Sequence, residues 1–380
     1  MSISVSPPVN ITVSVPKGSD RWVWMVDRGF DGQPVSIPSG TVDQVRDASN
    51  EMREALGAFK TIVEAGWHDL SPEAKKEHLD ALKAKARLLT GALFNGRQDE
   101  FTDHLARLSY PIITQFARGS SDQPLFEFCL LNDGTTDFFL GERYICRCKV
   151  VDSNKPKTLR AQYAVSRPST PRLVGYAEDN LLGSACPSHD TPDPSRPDQQ
   201  ISIMMDLVGE GRKPSVLDSL SESLPEHELD VLGNWIAEKY HVIHFNCGAD
   251  HSRRPTLRLR QGAKVGVKEL SHKHIDRPAD FHGGLVFLNA CSSAVGKTSL
   301  TTSIAEFFRQ RRASCVLCTT GPIEDGFATK LARLFYGHLL REGMNVVSAL
   351  LSARSKLIEE EGHPMALNYT YIGDDDYRLV

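Results

Sequence analysis

The strongest constraint on the fold is an alternation that fills the second part of the chain. Three short apolar runs, at 241–246 (HVIHFN), 285–290 (LVFLNA) and 314–319 (SCVLCT), read as buried strands. Two further strand-like runs precede them, at 143–151 and 172–176. Helical spacing of apolar residues lies between and after them, near 227–239, 299–311, 326–341 and 345–360. Strands alternating with helices predict an α/β fold: a mostly parallel sheet with helices on both faces.

The chain before this region has a different character. Residues 4–15 and 21–26 alternate as short strands do. Three helical stretches follow. The first, 42–65, sets Val45, Met52, Leu56, Phe59 and Ile62 on one face. The second opens at Ser71-Pro72-Glu73, a capping residue, a proline at the first helical position and an acid, and runs through Leu79, Leu82, Ala86 and Leu89. The third, 98–117, carries Phe101, Leu105, Leu108 and, past Pro111, Ile112. With 380 residues there is room for two domains. The shift at Gly119-Ser120-Ser121-Asp122 divides them into 1–118, smaller and mainly helical with a short β element, and 119–380. No repeat period is visible. The stretch 184–200, rich in Pro, Ser and Asp, reads as a long loop, either a flexible insertion or a site of activation or self-cleavage.

Composition narrows the class. A net charge of −4 gives no global pull toward nucleic acid or an anionic membrane. No apolar run approaches the roughly 20 residues of a membrane span, and the first residues lack the basic start and apolar block of a signal peptide. The eight cysteines are scattered, most inside apolar runs, which is unlike a secreted disulfide framework. Cys315 and Cys318 have zinc-like spacing, and Cys146 and Cys148 could complete a four-sulfur set. A strand, however, would face Cys315 and Cys318 to opposite sides. The expectation is a reduced, cytoplasmic protein with no metal.

In an open parallel sheet, reacting groups collect in loops at the carboxyl ends of strands. Two ends stand out: HVIHFNCGADH (241–251), which breaks at a glycine, and GLVFLNACSSA (284–294), which ends in Cys291 among small polar residues. Small neighbours give a thiol access, and nearby backbone N–H groups can lower its pKa and hold an oxyanion. Taken alone, such a cysteine is more often a buried small hydrophobe.

These ends, in this order, resemble the CHAT family, bacterial relatives of caspases and separases. The resemblance extends over PLFEFCLLNDGTTDFFLGERYICR (124–147), GYAEDNLL (175–182), VIHFNCGAD (242–250) and LVFLNACSSA (285–294). It continues through TTGPIEDGFATKLARLFYGHLL (319–340) and ALNYTYIGDDDYRL (366–379). It implies a cysteine peptidase whose Cys–His dyad cleaves peptide bonds without a cofactor, with Cys291 as nucleophile. The backbone N–H groups of Cys291 and of Gly248 or Ala249 would form the oxyanion hole. The protein substrate would be encoded nearby, in bacterial antiviral defence or programmed cell death, and the first domain would bind a regulatory partner. The family's catalytic histidine falls four residues after His244, on Gly248, which cannot transfer a proton. Three accounts stay open: an inactive variant, natural or engineered; a neighbouring histidine standing in, with His251 the first candidate and His244 the second; or a match out of step by a few residues. His244 also reads as a hydrogen-bonded core histidine, and His251 as an exposed loop residue.

Lesser signals have plain alternatives. Gly296-Lys297-Thr298-Ser299 imitates a phosphate loop, but Cys291 stands where that motif needs its first glycine. Lys297 then opens a helix at the surface. Glu324 and Asp325 fit either a substrate pocket selecting a basic residue or the cap of a helix near Phe327. The basic, alternating run 253–268 reads as a solvated strand face, or as a contact for an acidic partner. Histidines 272, 274 and 282 lack the companion acids or cysteines of a metal site.

Overall fold

The structure, a computed structural model, describes residues 10–16, 18–26, 35–106, 112–117, 124–150, 173–177, 215–216, 241–250, 256–258, 264–266, 284–290, 304–311, 313–321, 323–373 and 377. The expected helix near 227–239, the start of the first strand and the loop at 184–200 lie outside these residues. The chain forms two compact units: Met1–Arg118 with Gln123–Ser153, and Gly119–Asp122 with Asn154–Val380.

In the first unit, β1 (Asn10–Ser14), β2 (Arg21–Val26) and β3 (Val35–Thr41) form an antiparallel meander. α1 (Val42–Glu64), α2 (Pro72–Phe94) and α3 (Gln98–Ala106) follow. β4 (Ile112–Ala117) then pairs in parallel with β1, and β7 (Ile145–Val150) pairs in parallel with β4. Between β4 and β7, β5 (Leu130–Asn132) and β6 (Asp137–Phe139) make a small hairpin ahead of the short α4 (Leu140–Arg143). The third helix was expected to run to residue 117. The described helix covers Gln98–Ala106, and residues 112–117 are a strand instead. β-branched Ile112, Ile113 and Thr114 suit a pleated surface.

The core of this unit gathers on β2, whose alternation points Trp22, Trp24 and Val26 inward. Trp24 is fully buried, stacked on Phe94 with ring centres 4.5 Å apart, beside Phe101 and edge-on to Phe126. Its indole N–H donates to the Leu93 carbonyl at 2.9 Å. Both long helices start on caps. Thr41 and Gln44 bond each other's backbone N–H groups in a capping box, and the Ser71 hydroxyl accepts from the Ala74 N–H at 3.2 Å. Ser71→Ala should therefore lower stability by about 1 kcal/mol, read as a fall in the unfolding midpoint. An unchanged midpoint would show that the cap contributes nothing.

In the second unit the strand order is β16-β15-β14-β10-β8-β9. The ranges are β8 (Leu173–Ala177), β9 (Ser215–Val216), β10 (Val242–Asn246), β14 (Leu285–Asn289), β15 (Cys315–Thr319) and β16 (Tyr369–Gly373). β8, β9, β10, β14 and β15 run parallel, and β16 returns antiparallel on β15. The expected alternation is present: α5 (Ile304–Gln310), α6 (Asp325–Tyr336) and α7 (Val346–Glu361) interleave with the strands. Adjacent residues of β10 show that both sheet faces are covered. His244 packs on Tyr336 of α6, whereas Phe245, facing the other way, packs on Phe308 of α5. A strand buried on both faces needs an unbroken apolar run, which is why β10, β14 and β15 read so clearly in the sequence. The three-stranded antiparallel sheet of β11 (Ala249–Asp250), β12 (Thr256–Arg258) and β13 (Lys264–Gly266) follows β10. Among the described residues no helix is long and apolar enough to cross a membrane.

Candidate functional site

β10 and β14 are neighbours in parallel register, with Asn246 opposite Asn289. The pairing continues one step further, since the Cys247 N–H donates to the Asn289 carbonyl at 3.3 Å. The carboxyl ends of the two strands therefore leave the sheet side by side. This is the edge at which α/β sheets place reactive groups.

The end of β14 is held by a polar lock. The Asn289 side-chain oxygen, buried, accepts from the Tyr369 hydroxyl at 2.7 Å. The next carbonyl, that of Ala290, accepts from the Thr319 hydroxyl at the end of β15. Beyond Thr319, the Thr320 N–H donates to the Asn368 carbonyl at 2.7 Å, and Gly321 lies so close to Asn368 that a Cβ there would sit 3.0 Å from its Cγ. Buried hydrogen bonds of this kind fix backbone direction because breaking one strands a desolvated group. Tyr369→Phe is expected to cost about 1–3 kcal/mol of local stability. Faster hydrogen exchange of the β14 amides would register it, and unchanged exchange would remove the lock from the account.

The end of β10 is arranged differently. The Gly248 carbonyl accepts from the Arg258 N–H at 2.9 Å, and Ala249 pairs with Leu257 in the β11–β12 ladder. The exposed Arg258 side chain returns over Gly248, so its guanidinium fills the space in front of the glycine Cα.

His244 is a packed core group. It is fully buried, its Nδ1 lies 2.9 Å from the Tyr336 hydroxyl, and its ring packs on Phe287. Burial pushes its pKa down to about 3, so the imidazole is neutral. It presents no solvent-facing base. Burial likewise raises the Tyr336 phenol well above its usual range.

Glu324 caps α6. Its two carboxylate oxygens accept from the Gly326 N–H at 2.8 Å and the Phe327 N–H at 2.6 Å. Asp325 opens the same helix. Cys291 and His251 lie outside the described residues, as do Lys297 and histidines 272, 274 and 282. Cys315 and Cys318 are buried on β15, where a three-residue separation turns them to opposite faces. Among the described residues no group of three or more His, Cys, Asp or Glu could hold a metal ion.

Sequence reading thus located both strand ends but not the side chains that dress them. Tyr369 sat unremarked in the run NYTYIG (368–373), and Arg258 in the basic run read as a strand face.

Comparison with known proteins supplies the context. The profile described as "CHAT domain" matches residues 126–371, more than half of the chain. No curated protein matches. Among solved structures, gingipain R (RGPB), described as an Arg specific cysteine proteinase, aligns at a TM-score of 0.49 and 10% identity, over 76% of this chain and 69% of that one. The complex of Porphyromonas gingivalis RgpB pro- and mature domains gives 0.50 and 10%, over 80% and 77%. The Saccharomyces cerevisiae separase–securin complex gives 0.54 and 12%, over 96% of this chain but 30% of that one. Identities this low speak for the fold alone, which resembles that of the RgpB and separase structures. With the profile spanning most of the second unit's sheet and both strand ends described above, the chain belongs to the CHAT domain family.

Proposed function

We propose that this chain is a cysteine endopeptidase of the CHAT, caspase-like type, with Cys291 as its nucleophile and a partner protein as its substrate. The observation that carries the reading is the parallel register of β10 and β14, which brings the strand ends before Gly248 and Cys291 to one edge of the sheet. The Cys291 thiolate would attack the scissile carbonyl, and its own N–H with that of Gly248 or Ala249 would hold the developing oxyanion. The departing amine needs a proton. An imidazole at 248 would supply it, and glycine does not. Loss of a general acid–base group lowers rates by about 100–10,000-fold, so this copy would turn over slowly or not at all. Family resemblance supports a bacterial, cytoplasmic setting in antiviral defence or programmed cell death, a substrate encoded nearby, and a regulatory partner for the first domain, taken as residues 1–118. No cofactor is required by this chemistry.

A second reading is a pseudo-protease, a binding or regulatory module on the same fold. Gly248, with Arg258 in front of it, favours that alternative.

The test is incubation with neighbouring gene products beside three variants. Cleavage by the unaltered chain that disappears in Cys291→Ala supports the peptidase. Cleavage only by Gly248→His forms marks a disabled copy. No cleavage by any form, a Gly248→His variant that also carries Arg258→Ala included, with an authentic target present, leaves the binding module.

A further inference from the structure

Gly248 is not a glycine of conformational need. Its φ lies outside the left-handed region, so an L residue fits the backbone. A side chain is excluded instead by a neighbour. A Cβ built at 248 would lie 2.5 Å from Cζ of Arg258, and closer still to its Nη2 and Nε. The obstruction is the far end of a long, flexible side chain. Gly373 makes the contrast, since a Cβ there would run into backbone, 2.7 Å from Cα of Cys315. Arg258 is brought to this place by the ladder itself, its N–H bonded to the Gly248 carbonyl at 2.9 Å.

We infer that Arg258 occupies the seat of the absent side chain, so that Gly248 and Arg258 are a matched pair in which a fixed cation replaces a titrating base. This rests on the reading above for its catalytic consequence, though not for its geometry. A guanidinium stays protonated throughout the physiological range and has no lone pair with which to accept a proton. It cannot serve as general base. An imidazole introduced at 248 would compete with it for one volume and, where both fit, would be kept from protonating by the adjacent positive charge. Recovering proton transfer therefore takes two changes rather than one.

The experiment is a double-mutant cycle on the full chain with Gly248→His, Arg258→Ala and the two combined. The first measurement is the unfolding midpoint. Gly248→His alone is expected to lower it by roughly 2–6 °C, and most of that loss should vanish in the Arg258→Ala background. Additive shifts would overturn the inference. Gly248→Ala, which adds only the Cβ, repeats the cycle if the histidine forms fold poorly. The second measurement is cleavage of a neighbouring gene product, in which the double variant should exceed Gly248→His by at least about tenfold. Equal, measurable rates would overturn the competition between the two side chains. Absence of cleavage in both would instead count against the peptidase reading, while the thermal cycle still decides the pairing of Gly248 with Arg258.

Discussion

Between pH 6.5 and pH 3 the second unit is expected to lose about 5 kcal/mol of stability through one side chain, His244. The folded state holds this imidazole neutral down to about pH 3, whereas the unfolded chain protonates it near 6.5. A depressed folded pKa means that the stabilisation is complete above the unfolded value and declines as the pH falls. The slope is about 1.4 kcal/mol per pH unit until the folded group also takes up its proton. Carboxylates contribute to acid unfolding as well, so a reference variant is needed. His244→Phe combined with Tyr336→Phe removes the titration and the Nδ1–hydroxyl contact while keeping two rings among Phe287 and Phe335. Hydrogen exchange of the 242–246 amides, followed from pH 6.5 to 4, should destabilise with a slope about one proton steeper in the unaltered chain. Parallel slopes would mean that His244 is not held neutral by burial.

In the first unit the largest effect is expected from Trp24→Ala. Removing a fully buried indole from among Phe94, Phe101 and Phe126 should lower stability by about 3–5 kcal/mol, because the surrounding rings can collapse only partly into the space. The indole N–H bond to the Leu93 carbonyl is lost with it. Trp24→Phe, which keeps a ring but not the donor, should fall between the two. Calorimetry or denaturant titration gives the values, and a loss below about 1 kcal/mol would show that this cluster is not the centre of the unit.

Local chemistry explains what was legible in the sequence. β10, β14 and β15 are covered on both faces, so their residues announce themselves without partners being known. α1 and α2 each carry a helical stripe, and α2 also opens on the recognisable Ser71 cap. Residues 112–117 misled because Phe101, Leu105, Leu108 and Ile112 continue a helical spacing across Pro111. Their true partners, β1 and β7, are distant in the chain and leave no local mark. Val35–Thr41 escaped notice for a related reason: Pro38 and Gly40 interrupt it, and proline is tolerated there because β3 lies at the end of the strand order, paired with β2. At the candidate site, the spacing from His244 was enough to find Gly248. Arg258 was read correctly as part of a strand, but its place over Gly248 depends on the register of β11 against β12, which no spacing rule supplies.

The position of β1, bonded to β2 on one side and β4 on the other, bears on how the chain is made. Its partner in β2 leaves the ribosome almost at once, but the residues of β4 follow roughly 100 positions later. At about 5–20 residues per second the nascent chain carries an open β1 edge for roughly 5–20 s, a template on which other polypeptides can add. Chaperones that recognise extended segments would therefore act early in synthesis, before Ile112–Ala117 emerges to close the gap.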